Sequence, residues 1–545
     1  MKDKQSKSSA AYNFRTGAWN DTLTGEFLWS NVNVSEAVPD VMTPSTWSLW
    51  RIHHYDANPI KMPGKIPFCG NICGRPYLNL SLLASLYRVL GKDVRKELQG
   101  DMVGSVPDEL DIPLISISPI TLIWTVLPGF LTAQRQASQS RRKISEFLTD
   151  TPPWCEEILN AIHSCDDRPG LLTLWYARIR PKIFQACQML RSVTLALADP
   201  ATSLRQRLIE AVGEAHANTI LSNLSGASAN LESLGLTVGL ARVANGKMSR
   251  EGFLERYGHR GPHEMELFIA GNEEDEDWLD RQLDAFVKSP TDVEELLASQ
   301  RAEFENAWER YQAERPHEAK KNRQKLNVVA NAARNREAVR SELTRVVRLV
   351  RQYLLRVGEV TGLTDGVFFL SLHEMANVLA GDETSKAFIP ARRENYLKYS
   401  ALPPYPPIII GKFDPFQWAA DPNRRSDYFD ARPSTNREVT KTIKGFAGAA
   451  GCVEGFVRRI DFVEDGDQIQ PGEILVTVTT NIGWTPLFPR LAAIVTDVGA
   501  PLSHAAIVAR ELGIPAVVGC GNATMLLKTG DQVRVDGGAG IVSLS

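Results

Sequence analysis

The sequence predicts a multidomain protein in which a large, mainly α-helical region is followed by a compact α/β domain. Three observations carry this. Apolar residues recur at spacings of three and four through most of residues 35–400, whereas beyond about residue 440 they alternate at period two between glycines. The 545 residues also exceed what one hydrophobic core organises. With 43% hydrophobic and 23% charged residues, disordered and collagen-like classes are excluded. The balance of 61 Lys and Arg against 64 Asp and Glu gives a net charge of −3, so neither nucleic acid nor an anionic membrane is the expected partner.

Taken in order, the start MKDKQSKSSAAYNF is polar and has no apolar core of a signal peptide, so residues 1–27 read as a polar tail. Seven cysteines, an odd number, imply no disulfide framework and fit a reducing, cytoplasmic setting. Cys69 and Cys73 lack a second Cys or His pair at zinc-site distance, and no metal site is expected. The least charged stretch, Ile112 to Gln134, is interrupted by Pro119 and Pro128 and reads as buried helices of a globular core rather than a membrane span. RPKIFQACQMLRSVTLALA and LIEAVGEAHANTILSNL are helical by period, and Asp292 to Gly358 reads as a helical hairpin broken near Pro316 with a solvated outer face. Residues 28–429 therefore form one mainly helical domain. From Ala401 to Lys444 the proline-rich LPPYPPIIIGKFDPF and the polar run after it have linker texture, with the hinge assigned to 430–447 and the C-terminal domain to 448–545.

Within that last domain, LAAIVTDVGAPLSHAAIVARELGIPAVVG (Leu491 to Gly519) reads as a strand, a glycine-containing turn and a helix from His504 to Leu512. Ser503 is the N-cap, Gly513 the C′ residue, and Pro515 bars continuation before a strand from Ala516. His504 thus sits in the first helical turn. The helix dipole disfavours an imidazolium there, and the free N–H groups suit an arriving phosphoryl group. A neutral, nucleophilic histidine at such a place fits covalent phosphoryl transfer, the plain alternative being a histidine that decorates a turn.

The string GAPLSHAAIVARELGIPAVVG, with GCVEGFVRRI and GDQIQPGEILVTVTT before it and GNAT, GDQVRVDG and GIVSL after it, resembles the swivelling phosphohistidine domain of phosphoenolpyruvate synthase, pyruvate phosphate dikinase and rifampicin phosphotransferase. The resemblance covers about Gly448 to Ser545 and implies a β/β/α swivel domain with His504 as the phosphocarrier. Many members have Thr before the Ser-His pair, where this chain has Leu502. LWSNVNVSEAVPDVMTPSTWSL, GRPYLNLS, EGFLERYGHRGPHEMEL and the run from Arg336 to Leu372 are similar to the substrate-binding region of rifampicin phosphotransferases. The helical domain is by this resemblance an acceptor-binding domain.

Candidate partners of His504 follow. In YGHRGPHE, Arg260 is a phosphate clamp and His259 or Glu264 a proton acceptor, unless Arg260 and Glu264 only tie the turn together. His259 and His263 have metal-like spacing, but Gly261 and Pro262 between them break the helical register. Arg336, Arg340 and Arg345, with neighbouring Arg348, form a basic helix face, either a grip on the phosphoryl group or a solvated face. The resemblance aligns Arg340 with an Arg of the family's Arg and Lys pair and places Thr344, beside Arg345, at the Lys. Trp47 and Trp50 line a pocket for an aromatic or apolar acceptor, or are plain core.

No glycine-rich nucleotide loop is present, so no cofactor is held by a visible motif. The family's ATP-grasp domain finds no counterpart in these residues. The expected arrangement, similar to phenylphosphate synthase, puts ATP and Mg on a separate ATP-grasp subunit that phosphorylates His504, from which a small-molecule hydroxyl acceptor takes the phosphoryl group. The alternative is a non-catalytic phosphocarrier or regulatory protein whose helical domain binds a partner.

Overall fold

The computed structural model describes residues 11–544, apart from 33, 64–65, 99–105, 107–109, 223–233, 289–292, 423, 433–441 and 502. Leu502 and half of the expected hinge thus lie outside the described residues. Helices dominate the first four hundred residues. The longest, Pro316–Thr361, has 46 residues and starts with proline at its first turn, where a missing N–H costs nothing. It packs along Arg180–Ser222, Ile144–His163 and Val293–Glu314. Ile158, Ile183, Val346, Val350 and Leu354 fill the core between the first three.

The helical part also contains a five-stranded sheet that the 3.6-residue period concealed. Its strands are β1 (Leu28–Ser30), β2 (Cys69–Ile72), β3 (Arg75–Asn79), β4 (Ile408–Ile410) and β5 (Tyr428–Asp430), in the order β2-β3-β1-β4-β5. β2 and β3 form a hairpin whose turn residues Cys73 and Gly74 both have positive φ. β4 corrects the linker reading of residues 401–444: the β-branched triplet Ile408-Ile409-Ile410 is buried beside β1, Ile409 on one face and its neighbours on the other. The polar tail is likewise shorter than expected. Asn20 bridges to Ile72 and donates to the Phe413 carbonyl at 2.8 Å, while Asp21 is buried and accepts the Asn71 amide at 2.7 Å.

A second correction concerns Ile112 to Gln134. Its helix, Pro119–Arg141, buries only Gly129, Ala133 and Ala137, with Gly129 pressed against the Pro59 backbone. Ile120, Ile123, Trp124, Leu127 and Leu131 face outward, Trp124 at 77% exposure. The small residues, not the large ones, make the contact. Among the described residues, no helix is long and apolar enough to cross a membrane.

The C-terminal domain is an eight-stranded mixed sheet: β6 (Thr442–Lys444), β7 (Phe446–Ala449), β8 (Cys452–Arg459), β9 (Ile474–Thr477), β10 (Ala493–Thr496), β11 (Ala516–Val518), β12 (Gln532–Asp536) and β13 (Ile541–Leu544). The order is β6-β13-β12-β8-β9-β10-β11-β7, with β8, β9, β10 and β11 parallel. β6 and the first half of β7 fall inside the segment assigned as hinge, where they close the two edges of this sheet. The His504–Leu512 helix connects β10 to β11 and covers one face through Ala505, Val508, Ala509 and Leu512.

Candidate active site

Local rules place His504. β10 ends at Thr496 and a turn leads to Ser503, whose hydroxyl accepts the Ala506 amide at 3.4 Å and caps the helix. Such a cap is worth about 1 kcal/mol. Gly513 ends the helix with φ 70°, a left-handed conformation that glycine adopts without a side-chain clash. His504 therefore stands at the carboxyl end of parallel strands, the edge where open α/β sheets present their reactive groups.

The ring is held on both sides. Thr480 Oγ1 lies 3.1 Å from Nδ1 and Thr485 Oγ1 lies 3.1 Å from Nε2, both hydroxyls coming from the chain that follows β9. Phe488 packs obliquely at 5.8 Å between ring centroids. His504 is 9% exposed rather than open to solvent, because the helical region covers it. Burial, with Arg340 and then Arg260 nearby and Glu337 opposing, lowers its pKa to about 3. At neutral pH it is uncharged.

The covering groups come from three segments of the helical region. From the loop after β1, the Glu36 carboxylate accepts the His504 backbone amide at 3.1 and 3.2 Å. From the turn after the Arg250–Tyr257 helix, Arg260, 2% exposed, donates through Nε to Glu264 at 2.7 Å. From the long helix, Arg340 reaches the same carboxylate at 3.4 Å, and Arg336 pairs with Glu337 at 2.7 Å. Arg336 and Arg340 together hold the Glu337 carboxyl below the usual range although burial pushes it up.

The remaining candidates lie elsewhere or are already occupied. Arg345 bonds to Glu342 and to the Glu255 carbonyl, both at 3.0 Å, so it braces two helices instead of supporting a phosphate. Arg348 is buried against Glu273 and Glu274, which replaces the expected solvated face with a buried tie. His259 is buried, its Nε2 2.9 Å from Ser341 Oγ, and desolvation holds it neutral well below its ordinary range. Glu264 is clamped by two arginines. The Nδ1 of His259 has no hydrogen-bond partner among the described residues. Trp47 belongs to a buried cluster with Val34, Val38 and Trp50. It also lines a cleft of about 350 Å³ together with Trp19, His54, Tyr55 and Phe68. Trp50 stacks on His54 at 5.1 Å. The buried indole N–H groups of Trp47 and Trp50 have no acceptor among the described residues.

Sequence reasoning missed Glu36, Glu337, Thr480 and Thr485. Glu36 lies inside the quoted LWSNVNVSEAVPDV block, but no spacing ties it to a residue 468 positions later. It also missed the clasp at the domain junction. His263 Nδ1 is 2.8 Å from Asp40 and Nε2 2.8 Å from Glu464 of the C-terminal domain, and these two carboxylates raise its pKa to about 10 against desolvation. Nearby, Asn481 donates to the Pro262 carbonyl at 2.9 Å. At Gly483 a Cβ would come within 2.7 Å of the Pro262 ring, so glycine allows this close approach.

Comparison with known proteins agrees with this geometry. Residues 469–540 match the family model of the PEP-utilising enzyme, mobile domain. The chain is 29% identical over 303 residues to the prodigiosin synthesizing transferase PigC of Serratia marcescens, covering 53% of this chain and 32% of that protein. It is 30% identical over 234 residues to the rifampicin phosphotransferase of Bacillus subtilis, covering 42% and 25%. Over 103 residues it is 48% identical to the phosphoenolpyruvate synthase of Aquifex aeolicus, 19% of this chain and 12% of that enzyme. The matches span about a third or less of each relative's own length. The segment that carries His504 thus matches the PEP-utilising enzyme, mobile domain, and the chain is similar over part of its length to phosphotransferases that contain it.

Proposed function

We propose that this chain is the phosphohistidine and acceptor-binding component of a phosphotransferase. An ATP-grasp unit, placed here on a partner subunit with its ATP and Mg, phosphorylates His504, and the C-terminal domain then carries the phosphoryl group to the acceptor region. The observation that carries the reading is the docked His504. It is neutral, at a helix N-terminus, and within the field of Arg340 and Arg260 from the other region.

In the transfer step a hydroxyl oxygen attacks phosphorus in line with the imidazole nitrogen. Arg340 and Arg260 offset the charge on the equatorial oxygens, and Ser503 keeps the helix N-terminus in place. Threonine hydroxyls hold both nitrogens of the free ring, and the one opposite the phosphorylated nitrogen still fixes the ring plane during transfer. The Trp47 cleft suits a flat, largely apolar hydroxyl compound, with an unmatched indole N–H to orient it. A purely regulatory carrier has no need of a buried Arg260 and a half-buried Arg340 whose field falls on its histidine, which favours the enzyme reading.

The test is phosphorylation with a cognate ATP-grasp protein and ATP. The wild-type chain gains an acid-labile, base-stable phosphate and His504→Ala gains none. Label retained in that variant removes His504 from the mechanism. A screen of phenols, polyketide alcohols and small hydroxy metabolites with the charged protein then identifies the acceptor.

A further inference from the structure

Two carboxylates on the covering side stand near His504, and their surroundings treat them oppositely. Glu337 is locked to Arg336 and lies within the field of Arg340 and Arg260. Glu36 is in no ion pair among the described residues; its partner is the His504 amide. Its loop also touches the cleft wall, since Val34 and Val38 pack in the Trp47 cluster. One short segment thus joins the acceptor cleft to the carrier histidine.

We infer that Glu36 takes the proton from the acceptor hydroxyl during transfer from His504. The inference rests on the carrier reading above. The acceptor oxygen forms its bond to phosphorus as the N–P bond breaks, and the electron pair of that bond returns to the imidazole nitrogen; the other ring nitrogen keeps the N–H it carried when the neutral ring was phosphorylated, held by a threonine hydroxyl, so the ring leaves as neutral imidazole. The hydroxyl proton passes to the Glu36 carboxylate and from there to water. Every atom and charge is then accounted for without a further co-reactant.

The charged groups facing Glu36 are Arg336, Glu337 and Arg340 on the long helix, with His504 on the carrier helix. Burial raises its pKa to about 7, against the His504 amide and the two arginines, with Glu337 adding to the rise. A carboxylate of that strength accepts a hydroxyl proton far better than one at the ordinary value, and still releases it to water at neutral pH. Glu337, held ionised, balances the arginines instead. Opposite displacement of neighbouring carboxyls is the pattern that separates a proton-transfer group from a charge-balancing one.

The experiment charges the full chain chemically with phosphoramidate, so no partner is needed. The donor is then removed and phosphohistidine decay is followed by intact mass, with phenol as the hydroxyl probe and denatured phosphoprotein as baseline. Wild type should transfer faster than baseline, with a rate that rises with pH through about 7 and then levels. Glu36→Gln should charge to the same extent yet transfer roughly 100-fold more slowly and without the inflection, and Glu36→Asp should restore part of the rate. Transfer by Glu36→Gln within about threefold of wild type, or with the inflection intact, overturns the assignment. So does a wild-type protein that never exceeds the baseline. Peptide mapping follows the phosphate at residue 504 apart from the other histidines, and a wild-type protein that takes no phosphate at His504, from phosphoramidate or from an ATP-grasp protein with ATP, is a different result: it removes the carrier reading and the role of Glu36 with it.

Discussion

Two imidazoles lie at the junction between the helical region and the C-terminal domain, and they are tuned in opposite directions. His504 sits among threonine hydroxyls beneath two arginines, and its pKa falls to about 3. His263 sits between Asp40 and Glu464, and its pKa rises to about 10. The same side chain is neutral in one place and a cationic clasp in the other. The lesson is that burial alone does not set the charge at this interface: at His504 desolvation prevails and arginines of the helical region add to it, whereas at His263 one carboxylate from each side of the junction overcomes desolvation. The neutrality of His504 depends on its being covered, and the clasp is one of the contacts that keep it covered.

The comparison can be broken most severely by unbalancing the arginines. Glu264→Ala leaves the Arg260 guanidinium buried with its main counter-charge gone. A loss of about 3 kcal/mol in urea unfolding is expected, at the lower end for a broken buried pair because the position is truncated rather than replaced by a clash. Little or no loss would mean that the pair contributes nothing and that His504 is shielded by burial alone.

A milder probe is acid. His504 is neutral when folded down to about pH 3, whereas an unfolded histidine takes a proton near 6.5. The stability it contributes is therefore fully present above 6.5 and drains as pH falls through that value toward 3, by about 1.4 kcal/mol per pH unit at the steepest. Ring nitrogen chemical shifts of His504 that stay constant from pH 8 to about 5 would agree, and a titration near 6.5 would contradict it.

The smallest effect belongs to His263. Its folded pKa is raised, so its contribution is complete below 6.5 and is lost as pH rises through about 10. Glu464 is 57% exposed and the pair is screened, so His263→Gln should cost about 1 kcal/mol at pH 6. The difference from wild type should shrink at high pH, together with faster proteolysis of the junction at pH 6 in the variant. Equal unfolding curves for both proteins at every pH would reduce the clasp to a surface contact.

How much of this was legible in the amino acids follows from the range of the forces. The turn, cap, helix and C′ glycine around His504 are contacts within about ten residues, and each has a residue-type signature: Ser503 before the first turn, Gly513 after the last, Pro515 beyond. Helical period likewise announced the 293–361 hairpin and its break at Pro316. The N-terminal sheet was hidden because its strands are three to five residues long and are recruited from opposite ends of the region, Leu28 beside Ile410. Too few alternations exist in three residues to show a period. The exposed helix from Pro119 to Arg141 misled for a related reason: hydrophobicity signals that a surface is apolar, not which face a neighbour will cover.

By itself, then, the amino-acid sequence determined the local setting of His504: a histidine at a capped helix start between two strands, in a domain recognisable from its local text. Only the tertiary structure decided what surrounds it. Glu36, Thr480 and Thr485 contact His504, Arg260 and Arg340 add their field from two further stretches of chain, and the pairing of Glu264 with two arginines exists only once those stretches are packed. Caps and turns are short-range and are written into neighbouring residues. Desolvation and the field of distant charges are properties of the folded interior, and it is these that set the protonation of His504, Glu36 and His263.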